Sequence, residues 1–365
     1  MASHTSRRKF LVATGVTGAT LLAGCTGGGG NGGDGNDSGN ESNGGGGSGS
    51  ISWHAGGTSG TYYPLSNDFK TIIEENTDLS VNVQSTGASV ENVGSLSQED
   101  ADFALIQNDV ASFAYNGTGI DAFEDNAIDT IRGVATLYPE TIHIVTLADA
   151  GIESPADLEG ATINTGDTGS GTQVDALQIL EALGIEEFDE QNTGFSQAAE
   201  QLSNGDIDAA FVVGGYPVGA IEELAQTEDV VILPLEGEDR QAVLDAEDFF
   251  AEDEVPEGTY GLDEAAPTVA VQAMIATHEG VSEDVVEQVL TSIFDNTDQI
   301  NSKQEFITVE SAQDGMSIPL HPGAEAYFES AGGSGNETAG GNETENETED
   351  ATANETGNAT NESSE

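Results

Sequence analysis

Short apolar runs that end in a glycine- and hydroxyl-rich loop and give way to a helical stretch recur along this chain from residue 51 to residue 300. Residues 51–54 read as a strand, and 64–75 as a helix with Leu65, Phe69, Ile72 and Ile73 on one face. Further strands are expected at 79–84, 101–107, 131–137, 142–147, 161–164, 209–213, 230–233 and 268–276. Helices are expected at 89–98, 109–115, 172–183, 197–202, 217–225 and 282–300. Such alternation argues for an α/β fold with parallel sheets. Ligands of those sheets bind beyond the carboxyl ends of the strands, on the loops that start helices.

Four loops of that kind stand out: GGTSGT at 56–61, STGAS at 85–89, GDTGSGT at 166–172 and GGYP at 214–217. Glycine lets the backbone turn and approach a ligand closely. Serine and threonine supply hydroxyls and cap the helix that follows. Free N–H groups at a helix start favour an anion such as a carboxylate. One such loop could be only a capped turn; four on one chain suggest a ligand cradle. The segment Gly166–Thr172 nearly matches the phosphate loop G-x-x-x-x-G-K-[ST], but Thr172 stands where the lysine should be. GGTSG at 56–60 lacks dinucleotide spacing. A nucleotide site is therefore unsupported.

Neither G-x-S-x-G nor H-E-x-x-H occurs. The five histidines are scattered, with none paired at metal-ligand spacing, and His143 and His278 on strand-like runs read as core or hinge residues. Carboxylates are too abundant for a catalytic pair to stand out. Nothing nominates an enzyme, a metal or a cofactor.

The chain's ends carry their own signals. Arg7, Arg8 and the apolar run at 10–24 form a twin-arginine export signal, too short to span a bilayer. Leu22-Ala23-Gly24-Cys25 has the form of a lipobox, with Cys25, the only cysteine, as the lipid anchor. Residues 26–50 read as a flexible Gly/Asn/Ser tether, with an end-to-end distance of about 25–30 Å. Residues 332–365 read as an acidic disordered tail with glycosylation sequons at Asn336, Asn342, Asn346, Asn354, Asn358 and Asn361. An Asn/Glu/Thr-rich tail also generates such sequons by composition alone.

Formal net charge is -60, and outside the export signal only Lys70, Arg132, Arg240 and Lys303 are basic. Nucleic acid and anionic membrane surfaces are excluded as partners on that balance. At molar salt the Debye length falls to about 3 Å and self-repulsion is screened, so the acidity fits a salt-rich habitat. No D-x-D-x-D-G calcium loop is present.

The blocks GGTSGTYYPL, VNVQSTGASVENV, ADFALIQNDVASFAYNG, IRGVATLYPETIHIV, SPADLEGATINTGDTGSGT, DIDAAFVVGGYPVGAIEEL, VPEGTYGL and IPLHPGAEAYF occur in that order. Together they resemble the TAXI family of solute-binding receptors, which serve TRAP transporters, over roughly residues 51–330. The resemblance implies a two-lobed, periplasmic-binding-protein-like (type II) fold with crossing hinge strands, here 137–147 and 268–276. It divides the folded part into a first lobe over 51–138, a second over 139–265, and a return strand with C-terminal helices over 266–331. It further implies a monomer that captures a small organic solute, such as glutamate, glutamine or a dicarboxylate, and delivers it to a multi-span permease. Gly57, Thr58, Ser59, Tyr62, Thr86, Ser89, Gln107 and Asn108 would then line the cleft from the first lobe, with Tyr138 at the hinge. Gly169, Ser170, Gly171, Thr172, Gly215 and Tyr216 would face them from the second. A bidentate clamp could come only from Arg132 or Arg240. Arg132 opens a strand and is expected to pair with local acids. If neither arginine reaches the cleft, the anion rests on helix starts alone and neutral polar ligands stay open.

Two other readings stay open at this stage. The tail and acidity also suit a surface-anchored structural or adhesive glycoprotein. An extracellular hydrolase would need an activatable nucleophile.

Overall fold

The computed structural model describes residues 49–332, so the export signal, Cys25, nearly all of the tether and the six sequon asparagines lie outside the described residues. The chain runs β1 (Ser50–His54), α1 (Tyr62–Asn76), β2 (Ser80–Gln84), α2 (Ser89–Ser97), β3 (Phe103–Gln107), α3 (Asn108–Asn116), β4 (Ile131–Leu147) and β5 (Thr162–Asn164). It continues through α4 (Gly171–Ala182), β6 (Asp189–Gln191), α5 (Phe195–Asn204), β7 (Ala209–Val213), α6 (Gly219–Leu224), β8 (Val230–Ile232) and α7 (Gly237–Ala246). It closes with β9 (Ala251–Val255), β10 (Ala266–His278), α8 (Glu283–Asp295) and α9 (Pro322–Ala331). Ser50, expected in the tether, already pairs with Ser80 of β2.

All the described strands belong to one sheet of order β2-β1-β3-β10-β4-β7-β5-β6, with β8 on β4 and β9 on β10. The outer strands pair in parallel, β1 with β2 and β3 at one end, β5 with β6 and β7 at the other. Two long antiparallel strands join the ends. β10 pairs with β3 through Ala273–Thr277 and with β9 through Ala266–Ala270. β4 pairs with β10 through its first part, and with β7 and β8 from Ile142 onward. Each long strand therefore serves one lobe with each half, which is the two-lobed α/β architecture with crossing strands expected above.

The first lobe buries the apolar face of α1 (Leu65, Phe69, Ile72, Ile73) against Trp53 and Phe103, whose rings stack at 5.4 Å. Val286, Val289, Leu290 and Ile293 of α8, with Tyr327 and Phe328 of α9, close the same core. The second lobe packs Ile142, Ile144, Ile163, Ile179, Leu180 and Phe211 together, with Leu202, Val212 and Ile221 on the other sheet face. Burial at roughly 1.5–3 kcal/mol per large apolar side chain holds each lobe together.

Several expectations need correction. Residues 131–137 and 142–147 are one strand of 17 residues, since Tyr138-Pro139-Glu140 stays extended. Pro139, which has no N–H to give the ladder, lies opposite Gln272 beside a register shift. The expected crossing segment 137–147 is the second half of this strand. α1 begins at Tyr62, ahead of Pro64, because a first-turn N–H has no helical acceptor in any case. The helix expected over 282–300 stops at Asp295, where Asn296 leaves helical geometry (φ -133°). β6, α7 and β9 were not anticipated; β6 is Asp-Glu-Gln, entirely exposed, with no apolar period to read.

Candidate functional site

The loops that follow β1, β2, β5 and β6 lead into α1, α2, α4 and α5, and all four helix starts reach one pocket between the lobes. Its wall includes the cap and first residue of each: Thr61 and Tyr62, Ala88 and Ser89, Ser170 and Gly171, Gly194 and Phe195. The cavity it encloses measures about 80 Å³. Ser170 caps α4 by accepting from the Gln173 N–H at 3.1 Å. Ala88 caps α2 with φ 71° and ψ -139°, a backbone geometry that an L-residue adopts only under strain, as at ligand-facing turns.

The lobes touch around this pocket. Thr61 Oγ1 donates to Gly215 O at 3.4 Å, and Glu91 N–H to Gly169 O at 3.3 Å. Gln107 Nε2, at the end of β3, donates to Asp175 Oδ2 on α4 at 2.9 Å. A Cβ on Gly171 would stand 1.5 Å from Gln107 Oε1 and 2.9 Å from Ser89 Oγ, so the approach of α4 requires glycine there.

Glu140 stands at the pocket floor, buried in the middle of β4. Tyr62 Oη donates to its Oε2 at 2.7 Å, and Tyr138 Oη to Oε1 at 3.3 Å. Burial pushes its carboxyl up to about 8, softened by the tyrosine hydrogen bonds. That shift favours the protonated acid at neutral pH. Asp167, on the loop before α4, is the other acid of the wall.

Among the described residues, no lysine, arginine or histidine lines the pocket. Lys70 pairs with Glu74, Arg132 with Glu279 at 3.0 Å and Arg240 with Glu252 at 3.5 Å. Lys303 is outside, donating to Tyr216 O with its Nζ 5.4 Å from the Tyr216 ring centroid. Helix starts, each equivalent to about half a positive charge, supply positive potential to a wall that also carries Asp167.

Nine residues singled out in the sequence line this pocket: Gly57, Ser59, Tyr62, Thr86, Ser89, Gln107, Ser170, Gly171 and Thr172. Six lie elsewhere. Thr58 and Tyr216 line an outer groove with Lys303. The backbone carbonyls of Gly215 and Gly169 are occupied by the cross-lobe bonds above. Asn108 is turned to the hinge, where its Oδ1 accepts from Gln272 N–H at 3.0 Å and its Nδ2 donates to Gly315 O at 3.2 Å. Tyr138 is fully buried behind Glu140.

Sequence reasoning missed Glu140, Asp167, Gly194 and Phe195. Glu140 had a signal, being the one acid in IRGVATLYPETIHIVTL, an otherwise apolar-rich run. Gly194-Phe195 had none, because the strand before it carries no apolar pattern. His143 is a core residue, as expected: Nδ1 meets Val212 O at 3.0 Å and Nε2 meets Tyr260 Oη at 3.2 Å. Burial lowers it to about 4 and keeps it neutral. Among the described residues no cluster of His, Cys, Asp and Glu could hold a metal ion. No described helix is long and apolar enough to cross a membrane.

Solved structures similar to this chain include a periplasmic transporter protein, with 12% identity over 78% of this chain and 92% of that one, at TM-score 0.49. Another is the binding-protein component of a phosphonate ABC transporter from Pseudomonas aeruginosa, with 11% identity over 73% and 83%, at TM-score 0.48. A third is a TctC solute-binding protein from Polaromonas, with 15% identity over 78% and 94%, at TM-score 0.42. Across residues 54–332, which hold both lobes and the whole pocket, the sequence matches the NMT1-like family, and the chain belongs to it.

Proposed function

We propose that this protein is the extracytoplasmic receptor of a TRAP-type transporter of the TAXI kind. In this reading it captures a small organic solute between its lobes and passes it to a multi-span permease. One observation carries the proposal: four helix starts, two from each lobe, converge on one pocket without a basic side chain. A carboxylate placed there would accept several backbone N–H groups and gain from each helix dipole. Tyr62 and Phe195 would cover its carbon frame, and protonated Glu140 would present a donor to a second polar group. Amino acids of the glutamate or glutamine type and short dicarboxylates fit this chemistry. No step of bond making is needed, and the protein is read as a carrier, tethered outside the cell through Cys25.

Thermal melts in molar KCl with a panel of amino acids and dicarboxylates test the reading. A solute present at 100 times its Kd should add about 2.7 kcal/mol of stability and move the midpoint by several degrees. A panel in which no small molecule moves it refutes the receptor reading.

A further inference from the structure

Behind the pocket the lobes bring acids together without a cation. Asp109, at the start of α3, and Asp175, on α4, are both fully buried, and their carboxyls lie within hydrogen-bonding range of one another. Gln107 reaches Asp175 Oδ2 across the same boundary. Four buried acceptors are left without a well-formed hydrogen bond: Asp109 Oδ1 and Oδ2, Asp175 Oδ1 and Gln107 Oε1. The other titratable groups facing them are Glu140 of β4, with Tyr62 of α1 and Tyr138 of β4 bonded to it, and Glu247 beyond α7. The chain's four basic side chains in the described residues are engaged elsewhere. Two carboxylates held this close in a dry site repel strongly, whereas one carboxylic acid and one carboxylate share a short, charge-assisted hydrogen bond. Burial, the largest influence on both, raises Asp109 to about 7 and Asp175 well above the carboxylate range.

We propose that lobe closure builds a proton site shared by Asp109 and Asp175, so that the closed clamp holds one proton that the open clamp releases to solvent. Asp109 travels with β3 and α3 of the first lobe, and Asp175 with α4 of the second. Once parted, each carboxyl meets water and ionises in the ordinary range. Only an O–H bond forms or breaks, and the proton exchanges with solvent. Since the closed form binds the extra proton, closure is favoured at acid pH. It weakens tenfold per pH unit as pH rises from the ordinary carboxylate range toward the closed-form value, and levels off beyond it. Capture and release of solute would thus be linked to proton uptake and loss. The inference rests on the two lobes acting as a closing clamp, and it holds whichever solute the pocket takes.

The test uses the full chain without solute, carrying Cys25→Ser and nitroxide labels at Thr71→Cys and Glu200→Cys, one exposed position on each lobe. Pulsed dipolar spectroscopy would follow the interlobe distance from about pH 5 to about pH 9, in molar KCl and separately in molar choline chloride. The short-distance population should grow as pH falls, and by the same amount in both salts. Asp175→Asn supplies a permanent donor to Asp109 and should hold the acid-side distribution at every pH; Asp109→Asn should do the same. A distribution identical at both pH extremes overturns the proposal, as does closure that needs potassium at fixed pH, or a variant that titrates like the wild type. If a variant fails to fold, the wild-type titration still decides. A solute panel that moves no melting midpoint would sink the receptor reading and leave this titration unaffected, so the two failures can be told apart.

Discussion

At the residue scale, Glu140 governs how the pocket responds to pH. Its carboxyl lies at about 8 in the folded chain and near 4.5 once exposed, so between those values the native state holds a proton that the unfolded state has lost. Stability contributed by this group is greatest below about pH 4.5 and falls by about 1.4 kcal/mol per pH unit as pH rises toward 8. Glu140→Gln mimics the neutral acid and keeps an acceptor for Tyr62. Urea unfolding in molar KCl should show this variant within about 1 kcal/mol of wild type at pH 7. Its stability should decline less steeply with pH than the wild type's. An unchanged slope would mean that Glu140 is already ionised in the native protein. The sequence showed the acid in a strand-like run, but whether a strand residue faces solvent or a closed floor depends on partners far along the chain. For Glu140 those are Tyr62, 78 residues earlier, and a neighbouring strand contributed by residues past 265.

At the scale of elements, the start of α3 is pinned to the hinge by one side chain. Asn108 accepts from the Asp109 and Gln272 N–H groups, both at 3.0 Å, and donates to Gly315 O. It thereby ties α3 to β10 and to the segment leading into α9. Asn108→Ala leaves the Gln272 N–H without its acceptor, and the expected loss is about 2–3 kcal/mol, read as a lower urea midpoint in high salt. A loss below about 0.5 kcal/mol would show that water replaces the side chain without penalty. Strands with strong β-branched or apolar runs, β3 and β7 among them, could be placed from the sequence to within two residues. β9 and β6 could not, because Ala-Glu-Asp-Glu-Val and Asp-Glu-Gln carry no apolar alternation and are strands only through pairing with β10 and β5. The single strand β4 was divided for a related reason: proline normally punctuates a sheet, and only the register shift against β10 accommodates it.

At the scale of the whole molecule, a net charge of -60 makes self-repulsion the dominant long-range energy. Raising KCl from about 0.1 M to about 1 M shortens the Debye length from about 10 Å to about 3 Å. The melting midpoint should rise by several degrees over that range, and a flat midpoint would remove the salt-rich habitat from consideration. Sequence alone determined the α/β class, the loops that begin helices, and the scarcity of cations, because local periodicity and composition are written residue by residue. Tertiary structure alone decided which loops meet. It joined GGTSGT, STGAS and GDTGSGT with the unanticipated start of α5, excluded GGYP from the pocket wall, and set Asp109 against Asp175 across the lobes. The physical reason is that each helix start is a local property of its own cap, whereas their convergence follows from two crossing strands that bring distant segments to one boundary.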